Sequence, residues 1–308
     1  MPHDPTEPDQ AGETPSESDE PSDTYEHDAG DEEGPAEAIR RIATAKFNRA
    51  RSLDLSGLHL DQLPDELGQL KDSLVYLHAA DNRLCSTDQL VRVLSQLTRL
   101  EVLRLDTNRF DSTDALSEAV HTLPNIRAVN LSHNRLRDFH DIMHLVQAAP
   151  SLSFLMLSHN DIATPTAAIN VAALDSALQD LWLGFNDFSN VECLIPFVTS
   201  LPRLRFLDLS STNITLDVDM VCALLRIRTL IALSLSGNHA SQVSHHNNGL
   251  SGPALLGFLN IDDVDLSRSD PVLYKLCESK SLHTLSLRNC RLRSTDQLCD
   301  SLRGLAHL

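Results

Sequence analysis

Residues 140–144 read HDIMH, two histidines one helical turn apart. On a helix that spacing puts both imidazoles on one face, as in the zinc-binding HExxH arrangement. Here Asp141 stands where that arrangement has a Glu, no third ligand is evident, and Ile142 and Met143 suit a packed helix. The string LSHN occurs at 131–134 and again at 157–160, so His133 and His159 hold equivalent places. Paired imidazoles could take up a metal or titrate near neutral pH. No carboxylate or cysteine accompanies them except Asp81, 52 residues before His133, and both read as ordinary surface histidines. His245-His246 is an equally weak signal. The six cysteines, at 85, 193, 222, 277, 290 and 299, form no CxxC pair and read as reduced thiols. There is no GxSxG, no GKS or GKT and no glycine-rich phosphate loop. The expectation is therefore no catalytic residue, no metal site and no cofactor.

The spacing of the two LSHN strings is the stronger signal. Eleven-residue segments recur at a step of 26, among them LEVLRLDTNRF from Leu100, IRAVNLSHNRL from Ile126, LSFLMLSHNDI from Leu152 and LQDLWLGFNDF from Leu178. Seven consecutive starts, Leu74 to Leu230, keep the step. A partial copy opens at Ala50 and another lies at Leu282. A fixed period of this size means stacked units that bury a shared core. The central xLxLx alternates with period two, as a short strand does, with leucines inward. An asparagine follows at 82, 108, 134, 160, 186 and 238, replaced by Leu58, Thr212 and Cys290 in three copies.

Just past that turn stands a polar pentapeptide, STDQL at 86–90 and 294–298 and STDAL at 112–116. Ser, Thr or Asp there caps a short return helix, whose apolar face continues through Leu90, Val93, Leu94 and Leu97. After Leu230 the spacing is ambiguous. One register starts a copy at Ile261, because VDLS matches LDLS and VNLS elsewhere. It gives repeats of 31 and 21 residues and lets the polar SHHNNG bulge out as a loop. The other, through LLGFLNIDDVDL, keeps the step but puts Val264 in the asparagine slot. We expect the first.

The pattern LxxLxLxxNxL over roughly residues 50–308 resembles the leucine-rich repeat family. The resemblance implies an α/β solenoid, with a curved parallel sheet on the concave face and short helices on the convex face. The expected organisation is a disordered acidic tail at 1–34, a capping helix at 35–50 and a solenoid of about ten repeats at 51–308. The helix would lay Ile39, Ile42, Ala43 and Phe47 over the first repeat. Leu308 falls on the first leucine of a further strand, which leaves open an uncapped end or a longer chain.

The residues flanking the inward leucines form the outward array. It begins with Ser52, Asp54, Tyr76, His78, Asp81, Arg104 and Asp106, and ends with Ser234, Ser236, Asp263, Asp265 and Arg288. Its middle holds Phe154, Met156, Asp180, Trp182, Phe185, Phe206 and Asp208, which include the single Trp and three of the nine Phe. An exposed aromatic cluster ringed by charges has the makeup of a protein-binding hot spot, and these seven are the expected partner-binding residues.

Charge is consistent with a protein partner. Residues 1–34 hold 13 acidic side chains and no Lys or Arg, which leaves 30 acidic against 25 basic in the remainder. Such a tail buries too little to offset the entropy of ordering. Ser16, Ser18 and Ser22 among its acids are phosphorylation candidates. Overall acidity argues against nucleic acid as the main ligand. No signal peptide and no membrane-length apolar run are evident, and a cytosolic or nuclear monomer is expected. Two other roles stay open, a regulatory subunit of a phosphatase or small GTPase, and the sensor part of a larger enzyme. The latter is suggested by AEAIRRIATAKFNRARSLDLSGLHLDQLPDEL, which looks like the entry into repeats of Roco-type proteins.

Overall fold

The computed structural model describes residues 30–164, 174–241, 255–267 and 281–292. The acidic tail before Gly30, the SHHNNG segment and the second STDQL copy lie outside them. Ten three-residue strands stack into one parallel sheet. They are β1 (Ser52–Asp54), β2 (Tyr76–His78), β3 (Val102–Arg104), β4 (Ala128–Asn130), β5 (Phe154–Met156), β6 (Asp180–Trp182), β7 (Phe206–Asp208), β9 (Ala232–Ser234), β11 (Phe258–Asn260) and β12 (Thr284–Ser286). A separate parallel pair, β8 (Thr215–Leu216) and β10 (His239–Ala240), lines the turn side of two repeats. The chain is a leucine-rich repeat solenoid. Strand neighbours follow the 26-residue step, as in Leu155 beside Leu181 and Leu181 beside Leu207.

Helices close the other side, and side chains of Thr87, Asp138 and Asp217 cap three of them. The helices are α2 (Asp88–Leu94), α3 (Asp114–His121), α4 (Phe139–Ala148), α5 (Leu194–Ser200) and α6 (Val218–Leu225), with a 3-10 turn at Asp65–Leu70 in the first repeat. Thr87 caps α2 by accepting from the Leu90 N–H at 3.3 Å. The second pentapeptide works differently. The Thr113 hydroxyl donates to the Asp141 carbonyl at 2.8 Å, and Ser112 Oγ accepts from the Asp114 N–H instead. Strands lie about 4.8 Å apart while a helix is about 10 Å across. The helical side must therefore be longer, and the sheet takes the inside of the curve.

The inward leucines are fully buried: Leu103, Leu105, Leu155, Leu157, Leu181, Leu183, Leu207 and Leu209 all have zero exposure. Each such burial contributes about 2 kcal/mol. The asparagines then bind one repeat to the next. Asn160 Nδ2 donates to the Leu157 carbonyl at 2.9 Å and to the Leu131 carbonyl of the preceding repeat at 3.0 Å. Its Oδ1 accepts from the Leu136 N–H at 3.1 Å. Where Thr212 replaces Asn, its hydroxyl donates to the Leu209 carbonyl at 2.7 Å and lies 3.2 Å from Asn238 Oδ1, while the Phe188 N–H donates to the Thr212 main-chain carbonyl. Cys290 Sγ contacts the Ile261 carbonyl at 3.0 Å in the same role.

Two expectations are corrected. The 26-residue step does not break after Leu230. Phe258, Leu259 and Asn260 pair with Ala232, Leu233 and Ser234, so the copy starts at Leu256 and not at Ile261. Val264 fills the asparagine slot, buried but unable to hydrogen-bond through its side chain. The first helix, α1, runs Gly30–Phe47, back past Pro35. It buries Ala38, Ile42 and Ala45, whereas Ile39, Ala43 and Phe47 face solvent. The two alanines allow close approach to the sheet edge, and Arg41 donates to the Asp54 carbonyl at 3.1 Å. The open edge of β1 is thus covered, as a solenoid end requires.

Candidate functional site

Six of the seven expected residues sit on three consecutive strands, and Phe185 follows in the turn after β6. Phe154, Asp180 and Phe206 stand in register across β5, β6 and β7, and Met156, Trp182 and Asp208 do the same one pleat on. Phe154 is 41% exposed and Trp182 37%, high for side chains of this size. Trp182 leans over to Phe206, with ring centroids 4.3 Å apart and planes tilted by 34°. Beside Phe154 the small Ala128 lowers the floor. Val102, Arg104, Ala128, Asn130, Phe154 and Met156 enclose a depression of about 350 Å³.

Phe185 belongs to a different column. In each repeat the residue before the asparagine slot has positive φ, including Asp81, Thr107, His133, His159, Phe185, Ser211 and Asp263. Left-handed backbone costs a non-glycine residue about 1 kcal/mol or more and is least suited to bulky or branched side chains. It persists because the next repeat holds it. The N–H groups of His133, His159 and Phe185 donate to the carbonyls of Ser158, Gly184 and Ser210 at 2.8–2.9 Å. Side chains in this column are thrown outward together. Phe185, 50% exposed, stacks on His159 at 4.1 Å, and His159 on His133 at 4.2 Å, all within 10° of parallel. The two histidines read as ordinary surface residues are thus the continuation of the aromatic patch. Parallel stacked imidazoles direct their in-plane nitrogen lone pairs side by side, not toward one point. Burial in the stack, then the neighbouring His133, hold the His159 pKa below the usual imidazole range, with Asp208 opposing.

Asp208 departs from the exposed position expected of it. It is 9% exposed and accepts from the Ser210 hydroxyl at 2.6 Å and the Ser210 N–H at 3.0 Å. The short Ser side chain two residues on draws the carboxylate into the turn beneath the patch. Asp180 stays half-buried at the surface. Burial raises its carboxyl pKa, with Arg205 acting the other way. Phe258 was missed because the alternative register hid it. It continues the Phe154–Phe206 column through Ala232.

The HDIMH segment lies on α4 with Ile142 and Met143 buried and both histidines exposed. Asp138 accepts from the His140 N–H at 2.8 Å, and Asp141 Oδ2 accepts from the Thr113 N–H at 3.3 Å. This motif serves helix capping and packing. No group of three potential metal ligands occurs among the described residues. No helix among them is long and apolar enough to cross a membrane.

No protein-family model matches the chain, and no curated protein matches it. Solved structures that resemble it include an internalin (inlF) from Listeria monocytogenes, 17% identical, with TM-score 0.43, covering 88% of this chain and 93% of that one. An internalin C2 (inlC2) from the same organism is 17% identical, with TM-score 0.46, covering 66% and 93% respectively. The leucine-rich repeat domain of APL1B is also 17% identical with TM-score 0.46, covering 83% and 78%.

Proposed function

We propose that the chain is a non-enzymatic interaction scaffold that binds a partner protein across its concave face, as a monomer. The binding patch comprises Phe154, Met156, Asp180, Trp182, Phe185 and Phe206, with Asp208 bracing it from below. The observation that carries this reading is Phe185. A phenylalanine in left-handed backbone costs stability, and half of its surface remains in water. Glycine or asparagine would suit that backbone better, so the ring itself is what the position supplies. Aromatic residues are 4% of the chain, yet Phe154, Trp182, Phe185 and Phe206 cluster on three adjacent strands and their turns. Such a surface is already ordered, so little entropy is lost when a partner docks.

The test is a pull-down comparing the wild-type chain with the Trp182→Ala/Phe206→Ala variant. Loss of captured protein, with an unchanged unfolding midpoint, supports the reading. Equal capture per folded molecule overturns it.

A further inference from the structure

The patch also indicates what it binds. Beyond β6, the carboxylates of the outward array and its turns are already engaged. Asp208 accepts from Ser210, Asp262 from the Ser286 hydroxyl at 2.7 Å, Asp263 from Asn289 Nδ2 at 2.9 Å, and Asp265 pairs with Arg291 at 3.3 Å. The Asp180 carboxylate has no hydrogen bond or ion pair among the described residues. It sits in register between Phe154 and Phe206, partly withdrawn from water, with Arg205 influencing it only through space. A partly desolvated anion that no cation contacts directly is an incomplete pair. The Trp182 ring rises from the same strand. Tryptophan is the side chain whose face attracts a cation most strongly, Arg above all.

Resting on the concave-face reading, we propose that the partner is a basic segment that inserts an arginine or lysine beside Asp180, its cation lying on Trp182. An apolar side chain of the same segment enters the depression floored by Ala128. Charge excludes the chain's own tail as the occupant. Its 13 acidic residues and lack of any Lys or Arg would be repelled by the same carboxylates. The Arg104 guanidinium, the cation nearest the depression, is already turned to Asp106 at 3.2 Å and offers an acidic ligand little.

The experiment selects binders to the full chain from a displayed library of random linear peptides. A recovered peptide is then titrated while the emission of Trp182, the only tryptophan, is followed. The same peptide carrying citrulline, the neutral isostere, in place of arginine is titrated in parallel. The proposal expects enriched Lys or Arg and about 10-fold weaker binding of the citrulline peptide. Asp180→Asn should abolish that difference while unfolding no earlier than wild type. Peptides without basic residues, or a citrulline effect of the same size in Asp180→Asn, would overturn the proposal. If such neutral binders still fail on Trp182→Ala, the concave-face reading survives alone. If nothing recovered is sensitive to Trp182→Ala, both fall.

Discussion

Two neighbouring positions of the repeat turn tell opposite stories. The asparagine slot is buried in every repeat and holds Asn in six of ten, at 82, 108, 134, 160, 186 and 238, each between 3% and 9% exposed, with Leu58, Thr212, Val264 and Cys290 in the rest. The residue just before it is outward and varied, running through Asp81, Thr107, His133, His159, Phe185 and Ser211. Both are one peptide bond apart and both are tied to an adjacent repeat by hydrogen bonds. Where the buried slot holds Asn it has a single task, satisfying main-chain groups inside the stack. At the varied one the backbone is fixed and the side chain is free. Ten repeats within one chain therefore act as an internal comparison. What recurs holds the solenoid together, and what departs from the repeat, as three stacked rings do, is where a particular function resides.

The first way to break this contrast is to remove a ladder asparagine. Asn160→Ala leaves the Leu136 N–H unpaired in the interior and removes one of the two asparagine donors from each of the Leu131 and Leu157 carbonyls, which keep Asn134 and Asn186. We expect a loss of about 3 kcal/mol, read as a lower urea midpoint, with the outward face chemically intact. A midpoint within experimental error of wild type would show that the ladder does not carry the stack.

The outward position should behave in reverse. Trp182→Ala/Phe206→Ala removes two rings from the surface, and partner affinity should fall by about 30-fold or more while stability changes by under about 1 kcal/mol. Calorimetric titration with a recovered peptide checks the first figure and urea denaturation the second. A smaller effect sharpens the comparison within the varied column. Phe185→Asn relieves left-handed strain of about 1 kcal/mol and gives up a stack of similar worth. Stability should therefore stay near wild type while binding weakens by about 5-fold.

The smallest effect is a pH dependence. His159 has a folded-state pKa held below the ordinary value of 6.5. The unfolded chain then takes the proton more readily than the folded one. Stability is complete above about pH 6.5 and declines as pH falls below it. The decline should be shallower in His159→Gln, as measured by urea titrations at pH 7 and pH 5. An identical decline in the variant would remove the stack from the account.

Much of the fold was legible because a repeat multiplies weak signals. The step from Leu74 to Leu230 predicts strand, turn and core together. The copy at Leu256 was misplaced for a physical reason. VDLS imitates a strand string, while the true strand FLN is followed by Val264, which fills the asparagine slot without asparagine chemistry. The α1 face was misjudged because large apolar residues attract attention, whereas close approach to the sheet favoured Ala38 and Ala45. For the site, strand alternation correctly pointed Phe154 and Trp182 outward. It could not foresee that Ser210 would draw Asp208 under the surface. Nor could it show His133 and His159 joining Phe185, since that depends on a left-handed backbone no motif announces.

The most direct test of the central claim uses Trp182 itself, because it is the sole tryptophan and lies on the proposed patch. Acrylamide quenching of the native chain should be strong in the free state and should weaken sharply once a recovered peptide is bound. A peptide that saturates the chain and leaves Trp182 as quenchable as before would place the binding surface elsewhere and contradict the account.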